Sequence, residues 1–404
     1  MLRIFNTLGK KQEIFRPVDH KGVSIFTCGP SVYQRSHIGN FRTFLFEDIL
    51  VRYLEYSGFS VKRGMNFTDI EDKAFEEAQK RKTSLRDLTD KNIRNFCGEM
   101  RLLEMRAPDY LPRASEAVDE AVEIIEELLR RRIAYWHLGS VYFDPLKYPR
   151  FGELYGLDLS RWPKKKRRFH KDTYPGMRWN LGDFILWHRY RRGDPYWDTA
   201  IGRGRPSWNI QDPSMILKHY HGTLSIYCGG IDNLFRHHDY TRAIVESVRS
   251  YPMARFWIHC RHLIVQGQKM SKSRGNIYYI EDLLRDGYTI DEIRFFLIDG
   301  HYRRELDYTK EKMGSAAEKL KNLKRRMKAI RRKAGQESGV DRDIRDRVKE
   351  IFTEAMDDDL NVGRAFHRLF EFIGGVRLEA LRPKKASGLI KGLEEVDAVL
   401  KVLF

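Results

Sequence analysis

An apolar strand at residues 23–26 breaks at Gly29-Pro30. His37-Ile38-Gly39-Asn40 follows, and then apolar residues at helical spacing from Phe41 to Tyr56. That order leaves few folds open to the chain. A strand, a glycine-bearing turn and a helix start form an anion site, because free backbone N–H groups and the helix dipole converge on one spot. Gly39 admits a ligand against the backbone where a Cβ would stand. His37 and Asn40 place two side-chain donors one helical turn apart. The same residues also suit a capped helix with a surface histidine, so their meaning depends on the rest of the chain.

A second stretch, Gly267-Gln268-Lys269-Met270-Ser271-Lys272-Ser273-Arg274-Gly275-Asn276, sets two lysines three residues apart among small residues. Lysine is a compact, mobile point charge suited to polyphosphate. Together the two stretches resemble the paired nucleotide signatures of class I aminoacyl-tRNA synthetases. Further motifs narrow the resemblance: Thr27-Cys28-Gly29-Pro30, Val32-Tyr33, Asn66-Phe67-Thr68-Asp69-Ile70, Gly229-Gly230-Ile231-Asp232, Arg236-His237-His238, Gly300-His301-Tyr302-Arg303 and Met356-Asp357-Asp358-Asp359-Leu360-Asn361. They are similar to the cysteinyl-tRNA synthetase family, collinearly from near the N-terminus to about residue 380.

The resemblance implies an α/β fold: a class I synthetase Rossmann-like parallel sheet, split by a connective insertion and followed by an α-helical bundle. Residues 1–93 and 201–290 would be the halves of the nucleotide domain, 94–200 the insertion and 291–404 the bundle. It also implies ATP-dependent activation of an amino acid to an adenylate and transfer to tRNA. His37 and Asn40 would hold phosphate oxygens, Gly39 would let the nucleotide approach, and Lys269 and Lys272 would clamp the leaving pyrophosphate with Mg2+ assisting. Gly230 and Asp232 would lie against adenosine, the aspartate accepting from ribose hydroxyls. The family's anticodon-reading terminal domain is not expected here, since the chain stops soon after a helical segment at 387–403.

Composition agrees without deciding. Lys and Arg number 74 against 56 Asp and Glu, a net charge of +18 that favours polyanion partners, tRNA among them. No apolar run is long enough to span a bilayer and no signal-peptide pattern opens the chain, so a soluble, cytoplasmic protein without a membrane partner is expected. Four scattered cysteines, Cys28, Cys97, Cys228 and Cys260, fit a reducing compartment. Residues 23–93 alternate strand and helix, which predicts a parallel sheet with ligands at the strand C-terminal ends. Residues 114–132 read as an amphipathic helix and 134–179 as irregular, with a basic run at 164–168. The basic stretch at 321–333 carries Leu323, Met327 and Ile330 on one helical face as core. Its charged remainder suits a solvated face or phosphate contact alike.

The amino-acid pocket departs from the family. Family members hold zinc with two cysteines, a histidine and a glutamate, and the soft cation prefers the substrate thiolate to a hydroxyl. Here Cys28 and His237 stand at two of those places, while the second cysteine is Asp212 and the glutamate is Thr241. Asn209, Gln211 and Tyr227 replace further pocket residues. Thr68 and Trp208, which line the family's substrate site, remain. Zinc on Cys28, Asp212 and His237, with His238 or Cys228 nearby, is one expectation. Its absence, with Cys28 a small buried apolar residue, is the other. The activated amino acid is cysteine or a different one. The competing readings are a paralogue joining an amino acid to a small amine or carrier, as a mycothiol cysteine ligase does, and a silent tRNA-binding protein.

Overall fold

The structure, a computed structural model, describes residues 1–19, 22–161, 182–334 and 339–404. The basic run at 164–168 and most of the expected break at 335–339 lie outside the described residues.

Four short strands with apolar interiors make the central sheet, in the order Ala254–Cys260, Leu224–Gly230, Val23–Thr27, Val61–Met65, every neighbour parallel. The order reverses between Val23–Thr27 and Leu224–Gly230. A crevice therefore opens beyond their C-terminal ends, where ligands bind in sheets of this kind. Both strands are almost wholly buried, as runs covered on two faces must be.

The helix after the first strand spans Ile38–Tyr56 and starts three residues before the apolar periodicity does, because His37 caps it. The strand after it is Val61–Met65, followed by the helices Asp72–Lys80 and Leu85–Leu102. Residues 114–132 divide into a 3-10 turn, Ala114–Glu116, and the helix Val118–Arg130.

The expectation of irregular chain over 134–179 is corrected for 134–143, which pairs into a sheet with strands beyond it. Ala134–His137, Ser140–Phe143, Phe184–Arg189 and Gly204–Pro206 form a four-stranded antiparallel sheet. Its strands are short and rich in aromatics, which pack as cross-strand and cross-layer pairs: Phe143 stacks on Phe184, and Phe184 on Tyr240. Strands of three to six residues give too few alternations to show a period of two.

A third small sheet carries the lysine stretch: Gln268–Lys269 pairs antiparallel with Leu263–Val265, which runs parallel to Leu306–Tyr308. Beyond it the chain is helical, with Ile290–Ile298, Lys310–Ala334, Arg342–Met356, Val362–Gly374 and Pro383–Leu400. Leu323, Met327 and Ile330 are buried as the spacing required. Much of the charge around them is spent within the protein: Lys324 pairs with Asp291, Arg331 with Glu394, and Arg326 donates to the carbonyl of Ile373 at the end of a neighbouring helix. Among the described residues no helix is long and apolar enough to cross a membrane.

Candidate functional site

His37 sits in extended backbone before the helix. Its Nδ1 accepts from the amide of Asn40 at 3.3 Å, while Asn40 Oδ1 accepts from the amide of His37 at 3.0 Å. This capping box occupies the acceptor atoms of both side chains. What remains for a ligand is a donor from each, His37 Nε2–H and the Asn40 amide. Burial, with Lys269 adding to it, lowers the His37 pKa to about 4, so the ring is a neutral donor at ordinary pH.

The lysine stretch reaches the same spot. The amide of Ile38 donates to the carbonyl of Tyr278 at 2.9 Å. A Cβ on Gly39 would stand 2.3 Å from Met270 Cε and 3.1 Å from the His37 ring, so a larger residue there would push the Met270 side chain away. The loop is tied across its base: Asn276 Oδ1 accepts from the amide of Ser271 at 2.9 Å, and Arg274 donates to the Lys269 carbonyl at 3.2 Å. Lys269 is exposed and its charge is felt at His37. The Lys272 side chain lies outside the described part; its backbone is in the turn Lys272–Arg274.

Asp232 follows the strand Leu224–Gly230 in the turn Ile231–Asn233, and its charge also acts on His37. A Cβ on Gly230 would lie 2.6 Å from Asp232 Oδ1. Thus His37, Gly39, Asn40, Gly230, Asp232 and Lys269 line one crevice, although more than two hundred residues separate its ends.

The second cluster lies deeper, against the same strand ends. Cys28 continues the strand Val23–Thr27 and its amide donates to the carbonyl of Cys228 at 2.9 Å. Its Sγ lies 3.4 Å from His237 Nε2 and accepts from Asn233 at 3.5 Å. His237 Nε2 also stands 3.0 Å from Asp212 Oδ2. Asp212, wholly buried, takes Tyr227 Oη on the same oxygen at 2.7 Å and Asn66 Nδ2 on the other at 2.9 Å. Burial, followed by the charge of Asp212, pushes the Cys28 thiol well above its ordinary range.

Trp208 opens the helix Trp208–His219, behind the cap Ser207, and its ring lies 5.3 Å from that of His237. Thr68 runs beside residues 30–32, its amide donating to the Pro30 carbonyl at 3.2 Å. Thr241 is one helical turn beyond His237 and donates its hydroxyl to the His237 carbonyl at 2.8 Å. Both histidines enter the pocket through a kink: Phe235 is extended and Arg236 adopts φ 51°, ψ −40°, a conformation non-glycine residues avoid.

The donors present suit a cation. Cys28, His237 and His238 each offer one ligand atom, all within 4.8 Å of one another. Two buried imidazole nitrogens, His237 Nδ1 and His238 Nε2, have no hydrogen-bond partner. Asp212, the third ligand expected from the sequence, stands 3.0 Å from His237 Nε2.

Some residues of the cluster had no role in the sequence reading. Asn66 belongs to a recognised motif, but nothing in its spacing showed that it would bind Asp212. Asn233 and His259 carried no signal; each reaches the pocket only through the packing of adjacent strands.

Residues 14–318 match the family described as tRNA synthetases class I (C) catalytic domain, and residues 351–404 match the DALR domain. The chain is 37% identical to the cysteine–tRNA ligase of Chlamydia pneumoniae, covering 100% of this chain and 86% of that one. Against the cysteine–tRNA ligase of Brachyspira hyodysenteriae it is 34% identical, covering 98% and 85%. Mycobacterium tuberculosis methionyl-tRNA synthetase in complex with methionyl-adenylate shares the fold with a TM-score of 0.63 at 15% identity, over 95% of this chain and 92% of that one. The Agrobacterium radiobacter K84 agnB2 LeuRS–tRNA–LeuAMS complex shares it with a TM-score of 0.68 at 11% identity, over 96% and 85%.

Proposed function

The chain belongs to the cysteinyl-tRNA synthetase family and is an ATP-dependent aminoacyl-tRNA ligase of class I, and we propose that it activates cysteine with ATP and passes the aminoacyl group to tRNA through the two clusters described above. On this reading residues 1–93 and 201–290 are the halves of the nucleotide domain, 94–200 the insertion and 291–404 the bundle.

In the first step the amino-acid carboxylate attacks the α-phosphorus of ATP, the bond to the bridging oxygen breaks, and pyrophosphate leaves. Such transfers are governed by positioning and by neutralising charge on the phosphate oxygens. His37 Nε2–H and the Asn40 amide donate to those oxygens at the N-terminus of the helix Ile38–Tyr56, where the dipole adds to them. Gly39 lets the phosphates approach the backbone. Asp232 accepts from the ribose hydroxyls. Lys269 and Lys272 hold the leaving pyrophosphate, and Mg2+, when bound, would share in neutralising that charge. Thr68 and Trp208 bound the space for the small side chain.

Cys28 and His237, with Asp212 or His238, are the residues that would hold zinc, which when bound supplies a soft centre preferring thiolate to hydroxyl.

The approach of the lysine loop to the helix start, with Met270 over Gly39, carries the reading, because it assembles both phosphate-binding parts on one crevice. Cysteine-dependent ATP–pyrophosphate exchange followed by charging of total tRNA tests it. Exchange together with charging supports it. Exchange without charging favours the second reading, a paralogue with a small amine or carrier as acceptor. The joined replacement of Asp212, Tyr227 and Thr241 around one pocket is the observation on that side. No exchange with any amino acid would leave a tRNA-binding protein.

A further inference from the structure

We infer that His238 takes the ligand place that Thr241 cannot fill, so that the metal centre of this chain is Cys28, His237 and His238, with Asp212 and His259 orienting the two imidazoles from outside it. The inference rests on reading this pocket as the amino-acid site, but its test uses no activity.

Four observations carry it. The three side chains offer ligand atoms all within 4.8 Å of one another. His238 is wholly buried, and its two ring nitrogens differ. Nδ1 lies 2.8 Å from His259 Nε2, and His259 Nδ1 in turn lies 2.8 Å from Thr7 Oγ1, whereas Nε2 has no partner. If Thr7 accepts from His259 and His259 accepts from His238, the free Nε2 is a bare lone pair. Run the other way, the relay would strand a buried N–H with no acceptor, a costly arrangement. A histidine held by one nitrogen and open at the other is the form in which imidazole binds a metal.

Third, Gly229 makes room for the ring beside Cys28: a Cβ there would stand 2.8 Å from His238 Cε1 and 3.2 Å from Cys28 Cβ. Fourth, the two alternative oxygen ligands are spent. Thr241 donates to the His237 carbonyl, and Asp212 accepts from Asn66, Tyr227 and His237. Asp212 holds His237 by Nε2 and leaves the partnerless Nδ1 to the metal; a carboxylate on the other nitrogen of a ligand histidine fixes its ring and raises its basicity. One thiolate and two imidazoles form a zinc-type set, and three protein ligands leave the fourth position of a tetrahedral ion to substrate.

The full chain, purified without chelator, should contain about one zinc per chain, and zinc X-ray absorption fine structure should fit one sulfur and two imidazoles. After metal removal, cobalt(II) should give a thiolate charge-transfer band. His238→Ala should weaken cobalt binding by at least ~100-fold, Asp212→Asn and His259→Gln by about 10–100-fold with the sulfur band kept, and Thr241→Ala should leave it unchanged. A wild-type chain that binds neither zinc nor cobalt would overturn the inference. So would an absorption fit with one imidazole and a carboxylate, or a His238→Ala protein that binds as wild type while Asp212→Asn does not. The absorption measurement needs no variant, so misfolding of His238→Ala does not shield the assignment.

Discussion

The terminal methyl of Met270 lies so close over Gly39 that a Cβ on the glycine would stand 2.3 Å from it. This contact joins a loop late in the sequence to the first turn of the helix Ile38–Tyr56, and on the proposed function the missing side chain serves twice, once for the loop and once for the nucleotide.

The two uses can be separated. Gly39→Ala should lower kcat/KM for pyrophosphate exchange by at least ~10-fold, about 1.4 kcal/mol, with little change in thermal stability. Met270 is flexible, so adding Met270→Ala should relieve the loop contact and recover part of the loss. The part not recovered measures the Cβ against ATP. Full wild-type activity in Gly39→Ala would mean that neither partner needs the space.

Lys269 and Lys272 are assigned to charge that develops on the leaving pyrophosphate. Interactions stronger in the transition state than in the ground state appear in kcat rather than in binding. Lys269→Ala and Lys272→Ala should each reduce the exchange rate by ~10²–10³-fold, with ATP binding by calorimetry changed far less. Equal losses in ATP affinity and in rate would instead make the lysines ordinary ground-state contacts.

His37 sets a pH expectation. Burial first, then Lys269, takes its pKa to about 4, against pulls from Asp232 and its own backbone in the other direction. Folded His37 therefore refuses a proton that the unfolded chain accepts below its ordinary value. Its contribution to stability is complete above the unfolded value of 6.5 and is lost as pH falls from there towards about 4. In the folded protein the ring is neutral well above about 4, so exchange measured between about pH 5.5 and 7.5 should show no inflection from this residue. Carbon-13 NMR of the His37 ring checks the assignment directly; a midpoint near the ordinary imidazole value would refute it.

Much of this could be read before any coordinates. The strand–turn–helix unit around His37 and Gly39 and the lysine stretch are local patterns with local chemistry, and the fold brings the two together. Legibility failed where function depends on pairing across the sheet. Asp212 is visible as a replaced residue, yet its partners Asn66 and Tyr227 come from two other segments, and no spacing encodes their meeting. The antiparallel sheet that begins at Ala134 and ends at Pro206 was missed because its strands are too short for alternation to register. His238 stood in plain view beside His237, but its free nitrogen depends on His259, one strand away.

Asp359 supplies the last expectation, because it joins three parts of the molecule. Its wholly buried carboxylate accepts from the Phe5 amide at 2.8 Å, Tyr302 Oη at 2.7 Å and Arg303 Nε at 2.6 Å, with His301 Nε2 at 3.3 Å. Asp359 and Leu360 both hold positive φ, 61° and 54°, a strain that this web of contacts sustains. The His301 carbonyl accepts from Arg42, two residues beyond Asn40, at 3.2 Å, so the hub reaches the nucleotide helix. Burial alone would raise the Asp359 pKa; the hydrogen bonds from His301, Tyr302 and Phe5 and the Arg303 charge outweigh it and hold the carboxyl below its usual range. That contribution is present above the ordinary carboxylate pKa and is lost as pH falls through the lowered value. Asp359→Asn keeps the shape but removes the charge that the partly exposed Arg303 faces, so the unfolding free energy from urea titration should fall by about 1–3 kcal/mol. If the loss were instead within about 0.5 kcal/mol, the range of a surface substitution, Asp359 could not be what holds the C-terminal helices to residues 5 and 301–303.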